Sequence, residues 1–275
     1  MRMMRNLTFF LGVFLFLTVF VFCIAGERSA GREMDFLLPE RVVHAGGALW
    51  GRDASGVYRQ YIGANALEGL RLCADSGADA VELDFSFTAD GELVAIHDWS
   101  DYYIAGVGEG VPLTREQFEE ARIFGCFTPL TLEDAAAFFR EHEEMMLVTD
   151  IKENFSEAAG RIAAACGDFL DRVVMQIYAE EQYEIAASLG FSRVAYTLYA
   201  LPWEKKLDTA AHLAFAGTHP LLWIACDASL CENGIFLDAM LASGVPLYVH
   251  TVNERKMCEK LLDSGICGVY TDLIG

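Results

Sequence analysis

A chain of 275 residues, 53% of them hydrophobic, can bury one large core, and α/β barrels commonly run to about this length as a single domain. Its formal net charge of −20 repels polyanions, which argues against nucleic acid as a partner and means that an anionic substrate needs a local positive centre. The eight cysteines show neither CxxC nor zinc-ligand spacing, so they settle neither a metal site nor a compartment.

At the N-terminus, MRMMRN supplies Arg2 and Arg5 ahead of an uncharged apolar run from Leu7 to Gly26. That length lies between a signal-peptide core and a full membrane span. Positive charge before the run predicts a cytoplasmic N-terminus and a domain on the far side of the cell membrane. Residues 1–34 are therefore expected to be a single-pass signal anchor with a short polar linker, and residues 35–275 the folded domain. Cleavage after Ala25, which would release the domain, is the alternative.

Beyond the linker, short β runs alternate with helical patterns. The β runs read RVVHAG, DAVELDF, MMLVTDIK, RVVMQIY, RVAYTL, LLWIAC, VPLYVHT and CGVYTD. Helical periodicity separates them, as in NALEGLRLCADSG, LEDAAAFFREHE and ERKMCEKLLDSG, and several helices stop at a glycine. Eight such units predict a (β/α)8 TIM barrel, and the lack of GxGxxG or a P-loop removes the main support for a nucleotide-binding sheet. In such barrels the chemistry sits at the C-terminal ends of the strands. His44, Glu82, Asp84, Asp150, Lys152, Gln176, His250 and Asp272 all fall there.

The densest cluster is ELDFSFTADGELVAIHD, Glu82 to Asp98. Strand alternation points Glu82 and Asp84 to one face. Asp90-Gly91 between alternating apolar residues reads as a two-residue turn, which would pair Asp84 directly with His97. The return strand is an inserted hairpin, extra to the eight, and residues 99–130 are expected to form a loop or small insertion over the barrel mouth. Carboxylates without cysteine make an oxygen-rich site suited to a hard cation.

Together these segments resemble the glycerophosphodiester phosphodiesterase family, within the phospholipase C-like phosphodiesterase barrels, over about residues 41 to 275. HAG at His44 to Gly46 matches the family's opening HRG, and VELDFSFTADGELVAIHD matches its ExD strand and hairpin. PLTLED at Pro129 to Asp134, DIK at Asp150 to Lys152, HTVN at His250 to Asn253 and GVYTD at Gly268 to Asp272 follow in the family's order. The resemblance implies His44 and His97 as the acid/base pair and Glu82, Asp84 and Asp150 as ligands of Ca2+ or Mg2+. Lys152, on the strand face of Asp150, is expected to stabilise charge on the phosphoryl group. Asn65, Gln176 and His250 are expected to bind the small phosphodiester substrate, and Asp272 to fix the last strand's loop.

The chain also departs from the family's pattern. Ala45 stands where the family has an arginine, Asp150 replaces a glutamate, and His250 replaces a tryptophan. Arg52 or His250 is expected to take over phosphate binding. The implied activity is metal-dependent cleavage of glycerophosphodiesters to an alcohol and glycerol 3-phosphate, in lipid metabolism. A phospholipase C- or D-like lipase and a non-catalytic headgroup-binding barrel are the alternatives.

Overall fold

The structure is a computed structural model that describes residues 38–53 and 55–274. The expected anchor, residues 1–34, lies outside the described residues; among those described, no helix is long and apolar enough to cross a membrane.

The described strands, in chain order, are β1 (Arg41–Val43), β2 (Leu49–Arg52), β3 (Tyr58–Tyr61), β4 (Ala80–Phe87), β5 (Leu93–Ala95), β6 (Leu130–Thr131), β7 (Met146–Ile151), β8 (Val173–Ile177), β9 (Arg193–Thr197), β10 (Trp223–Asp227), β11 (Leu247–His250) and β12 (Gly268–Thr271). Eight of them pair in parallel in the order β1-β4-β7-β8-β9-β10-β11-β12, and β1 pairs again with β12 to close the barrel. These are the eight apolar runs of the sequence. Helices cover the sheet outside and side chains fill it inside, so parallel strands read as near-continuous hydrophobic stretches. At the closure Val43 pairs with Thr271, which brings the ends of the first and last strands together.

The barrel floor is aromatic. Trp223 and Tyr248 stack with centroids 4.3 Å apart, and the Trp223 indole donates to the Tyr270 hydroxyl at 3.0 Å. Toward the C-terminal ends of the strands Glu82, Asp84, Asp150 and Gln176 are buried in its place. The TLED segment starts the helix Leu132–Glu141 with a capping box, in which the Thr131 hydroxyl accepts from the Asp134 amide and the Asp134 carboxylate accepts from the Thr131 amide.

The hairpin differs from expectation by one residue. β4 and β5 pair Phe85 with Ala95, Ser86 with Val94 and Phe87 with Leu93. The connection is therefore a three-residue loop, Ala89 to Gly91, between Thr88 and Glu92. Asp90 accepts from the Thr88 hydroxyl at 2.7 Å and the Arg115 amide at 2.9 Å, and Gly91 alone takes a left-handed φ of 83°. Type I geometry followed by a left-handed glycine is the usual three-residue hairpin, and it moves the register by one. Asp84 is thus not the direct pair of His97; β5 ends at Ala95, and His97 arrives on the loop that follows.

Residues 99–130 form a small insertion with its own packing. Trp99, Ile104, Val107, Phe118, Ile123 and Phe127 are buried together against Val94 and Ile96. The antiparallel pair β2–β3, another addition, went unforeseen because Tyr58, Arg59 and Gln60 are all exposed and carry no apolar alternation.

Candidate active site

The site grows from strand register. Asp84 on β4 and Asp150 on β7 are direct parallel partners, so their carboxylates project side by side, and Glu82 lies two residues back on the same face. Ligand oxygens of Glu82, Asp84 and Asp150 all lie within 4.8 Å of one another, and all three residues are buried. Lys152 bridges two of them, its Nζ 2.7 Å from Asp84 Oδ1 and 2.9 Å from Asp150 Oδ2. The Tyr178 hydroxyl donates to Asp150 Oδ1 at 2.7 Å.

One ammonium does not balance three buried carboxylates. Burial first, then the Asp84 charge, raises the Glu82 pKa to about 8. Burial works against charging Lys152, but Asp84 and Asp150 outweigh it and push its pKa up. Burial likewise opposes the charged form of Asp84, yet Lys152 above all holds its pKa below the usual range.

His44 ends β1 in a tight turn. Ala45 adopts a left-handed conformation with φ 48° and ψ 37°, which costs a non-glycine residue roughly 1–2 kcal/mol. In return its amide donates to Glu82 Oε2 at 2.7 Å. The helix Leu67–Ser76 presses on this turn through Gly69, where an added Cβ would run into the Gly46 carbonyl oxygen. Gly69→Ala is expected to displace the His44 turn and cut turnover about tenfold or more, although alanine favours the helix. Unchanged turnover in that variant would show that the turn tolerates the shift.

Barrel closure supplies the partner of His44. Its Nδ1 lies 2.8 Å from Asp272 Oδ1, and Asp272 is itself held by the Asn253 side-chain amide. Burial opposes a charge on His44, but Glu82, the Asp272 hydrogen bond and Asp84 together raise its pKa to about 9. His97 pairs with its neighbour, Nδ1 to Asp98 Oδ2 at 2.8 Å, and its ring stacks on Tyr103 from the insertion.

A cavity of about 380 Å3 at the strand ends is lined by His44, Glu82, Asp84, His97, Asp150, Lys152, Gln176 and His250. The structure therefore brings eight of the nine candidate residues to one cavity. Gln176 accepts from Tyr270 at 3.0 Å, which leaves its amide NH2 for other partners. Burial drops the His250 pKa to about 4, so its ring is neutral, and its Nε2 is buried without a hydrogen bond among the described residues.

The ninth, Asn65, stands behind the cavity. Fully buried, it donates to Asp84 Oδ2 at 2.7 Å and accepts from the Asp84 amide at 2.9 Å. It positions Asp84 and does not line the wall. Arg52 is not brought to the cavity either; it donates to the Gly56 carbonyl and lies over the Tyr58 ring on the exposed β2–β3 pair.

Sequence reading missed Tyr178 on Asp150 and the Asp272 link to His44. Tyr178 lies two residues after Gln176, the period that marks a shared strand face. The Asp272 link follows from the closure of a barrel between its first and last strands.

Residues 54–275 match the model of the glycerophosphoryl diester phosphodiesterase family. The chain belongs to that family. It is accordingly a phosphodiesterase of the glycerophosphodiester class, and the His44 turn, which precedes the matched residues, joins the same cavity. A glycerophosphodiester phosphodiesterase of Caldanaerobacter subterraneus subsp. tengcongensis is 21% identical over 234 residues, covering 76% of this chain and 88% of its own length. The crystal structure of the Thermotoga maritima glycerophosphodiester phosphodiesterase superposes with a TM-score of 0.65 at 18% identity, covering 86% of this chain and 95% of that one. An Oleispira antarctica phosphodiesterase, solved in complex with the product sn-glycerol-3-phosphate, gives a TM-score of 0.61 at 19% identity, covering 86% and 94%. At these identities the two structures support the barrel fold alone.

Proposed function

We propose that this family enzyme hydrolyses glycerophosphodiesters to an alcohol and glycerol 3-phosphate, in lipid metabolism, with Ca2+ or Mg2+ held by Glu82, Asp84 and Asp150. The observation that carries the reading is the convergence of three buried carboxylates and two histidines on one cavity. The donor set fits a hard cation. It offers oxygen alone, and its atoms are spaced closely enough to share one ion. Glu82, Asp84 and Asp150 would hold the cation, which would supply Lewis-acid polarisation of a phosphoryl oxygen.

The chain's own groups do the rest. Asp272 fixes the Nδ1 side of His44 and leaves Nε2 for proton transfer. His44, oriented by Asp272 at the cavity wall, is the group placed to give a proton to a departing alkoxide. His97 takes the proton of the attacking water as the phosphorus–oxygen bond to the alcohol breaks. Lys152, charged and at the cavity wall, offsets charge growing on the phosphoryl group.

With alanine at position 45, His250 at the cavity wall serves the substrate as a neutral hydrogen-bonding group. His250→Ala is expected to raise KM about tenfold with a smaller change in kcat. An unchanged KM would remove His250 from substrate binding. The apolar run behind Arg2 and Arg5 tethers the domain to the outer side of the cell membrane in the same proposal. Phosphorus NMR of the products tests the reaction: glycerol 3-phosphate with free alcohol supports it, and a phosphorylated headgroup with free glycerol contradicts it.

A further inference from the structure

A second cavity, of about 450 Å3, opens beside the first and shares His97, Asp150, Lys152, Tyr178 and Tyr199 with it. Among the residues new in its wall, beside Ile151, Gln182 and Ala200, are Glu153, Asn154 and Phe155, which lead from β7 into the helix Phe155–Ala165. Three aromatic rings, Tyr178, Tyr199 and Phe155, thus share a concave surface with a carboxylate. Glu153 accepts one long hydrogen bond, 3.3 Å from the Phe87 amide, and has no ion-pair partner among the described residues. Lys152, the lysine of this wall, is committed to Asp84 and Asp150.

From this arrangement we infer that the second cavity is a subsite for the leaving alcohol of the diester and selects a cationic headgroup, of the quaternary or primary ammonium class. Aromatic faces attract a cation through their quadrupole, and an adjacent unpaired carboxylate adds a Coulombic pull. Tyr199 already takes a cation on its ring, with Lys206 Nζ 5.5 Å from the centroid; that lysine lies outside both cavities and pairs with Asp227 at 2.6 Å. An anionic headgroup would meet Glu153 and the strongly acidic domain. A neutral polyol would gain neither attraction. The subsite rests on the glycerophosphodiesterase reading, because the shared wall of His97, Asp150 and Lys152 is what aligns a headgroup there with a phosphate in the first cavity.

Binding and hydrolysis test the two claims separately. The purified full chain, held in chelator, is titrated by calorimetry with glycerophosphocholine and with glycerophosphoglycerol. The choline diester is expected to bind about tenfold more tightly, and Glu153→Gln and Tyr199→Leu should each reduce that ratio several-fold. Equal binding of the two diesters, binding of neither, or a ratio unmoved by both substitutions would overturn the subsite. Hydrolysis of both diesters at equal efficiency with metal would leave the phosphodiesterase reading standing while removing the headgroup preference. A choline preference in binding without hydrolysis of either diester would support the subsite and contradict the reaction.

Discussion

His44→Ala is expected to lower kcat by about three orders of magnitude while leaving KM within a few-fold of the parent. The side chain sits on the cavity wall with 31% of its surface exposed, so its removal takes little from the core. What is lost is a proton donor held in one orientation by Asp272, itself held by Asn253. Asp272→Asn keeps the shape but replaces an acceptor-only carboxylate by an amide that can present a donor to Nδ1, so a smaller loss, about 10–100-fold, should follow. It should also move the alkaline limb of the pH–rate profile to lower pH, because one of the groups that raise the His44 pKa is gone. A His44→Ala variant that retains most of its kcat would mean that His44 is a structural end to β1 and no more.

The second large effect concerns the carboxylate cluster and pH. A divalent cation needs Glu82 ionised, yet in the metal-free protein Glu82 stays mostly protonated until about pH 8. Cation binding must therefore expel close to one proton at neutral pH, and affinity should rise roughly tenfold per unit from pH 6 toward 8 before levelling off. Stability of the metal-free chain should run the other way. Both Glu82 and His44 have folded-state pKa values raised above their unfolded ones, so the folded state holds protons more tightly. The stabilisation this gives is complete below about pH 4.5 for Glu82 and 6.5 for His44, and is lost as pH rises through about 8 and 9. Melting temperature in chelator should fall from pH 6 to 9, and the gain on adding Ca2+ should be largest at the alkaline end. Glu82→Gln removes the titrating group along with a ligand; it should abolish cation binding at micromolar metal. A cation affinity that is flat from pH 6 to 8 would show that Glu82 is not among the ligands.

The barrel was legible because its physics is repeated eight times. Each parallel strand is an apolar run, most polar groups with chemistry, His97 excepted, fall at a run's end, and the covering helices stop at recognisable signals. Strand alternation set Glu82 beside Asp84 and Asp150 beside Lys152, and the resemblance to the family joined the two pairs in one site. Three features were not legible, each for a different reason. The hairpin register turned on whether the loop has two residues or three, which the Thr88 and Asp90 side chains decide through hydrogen bonds that a turn motif does not specify. In the β2–β3 pair, β3 exposes Tyr58, Arg59 and Gln60 in succession, so no alternation betrays it. Asn65 could be singled out but not assigned, since nothing local says that its amide will meet both the side chain and the backbone of Asp84 from 19 residues away.

The most direct measurement is release of glycerol phosphate from a glycerophosphodiester by the purified full chain, with Ca2+ or Mg2+, with chelator, and beside His44→Ala. Release that depends on the cation and is lost in the variant is the predicted result. Equal release in chelator, or full activity without His44, would contradict a centre built on Glu82, Asp84, Asp150 and the two histidines.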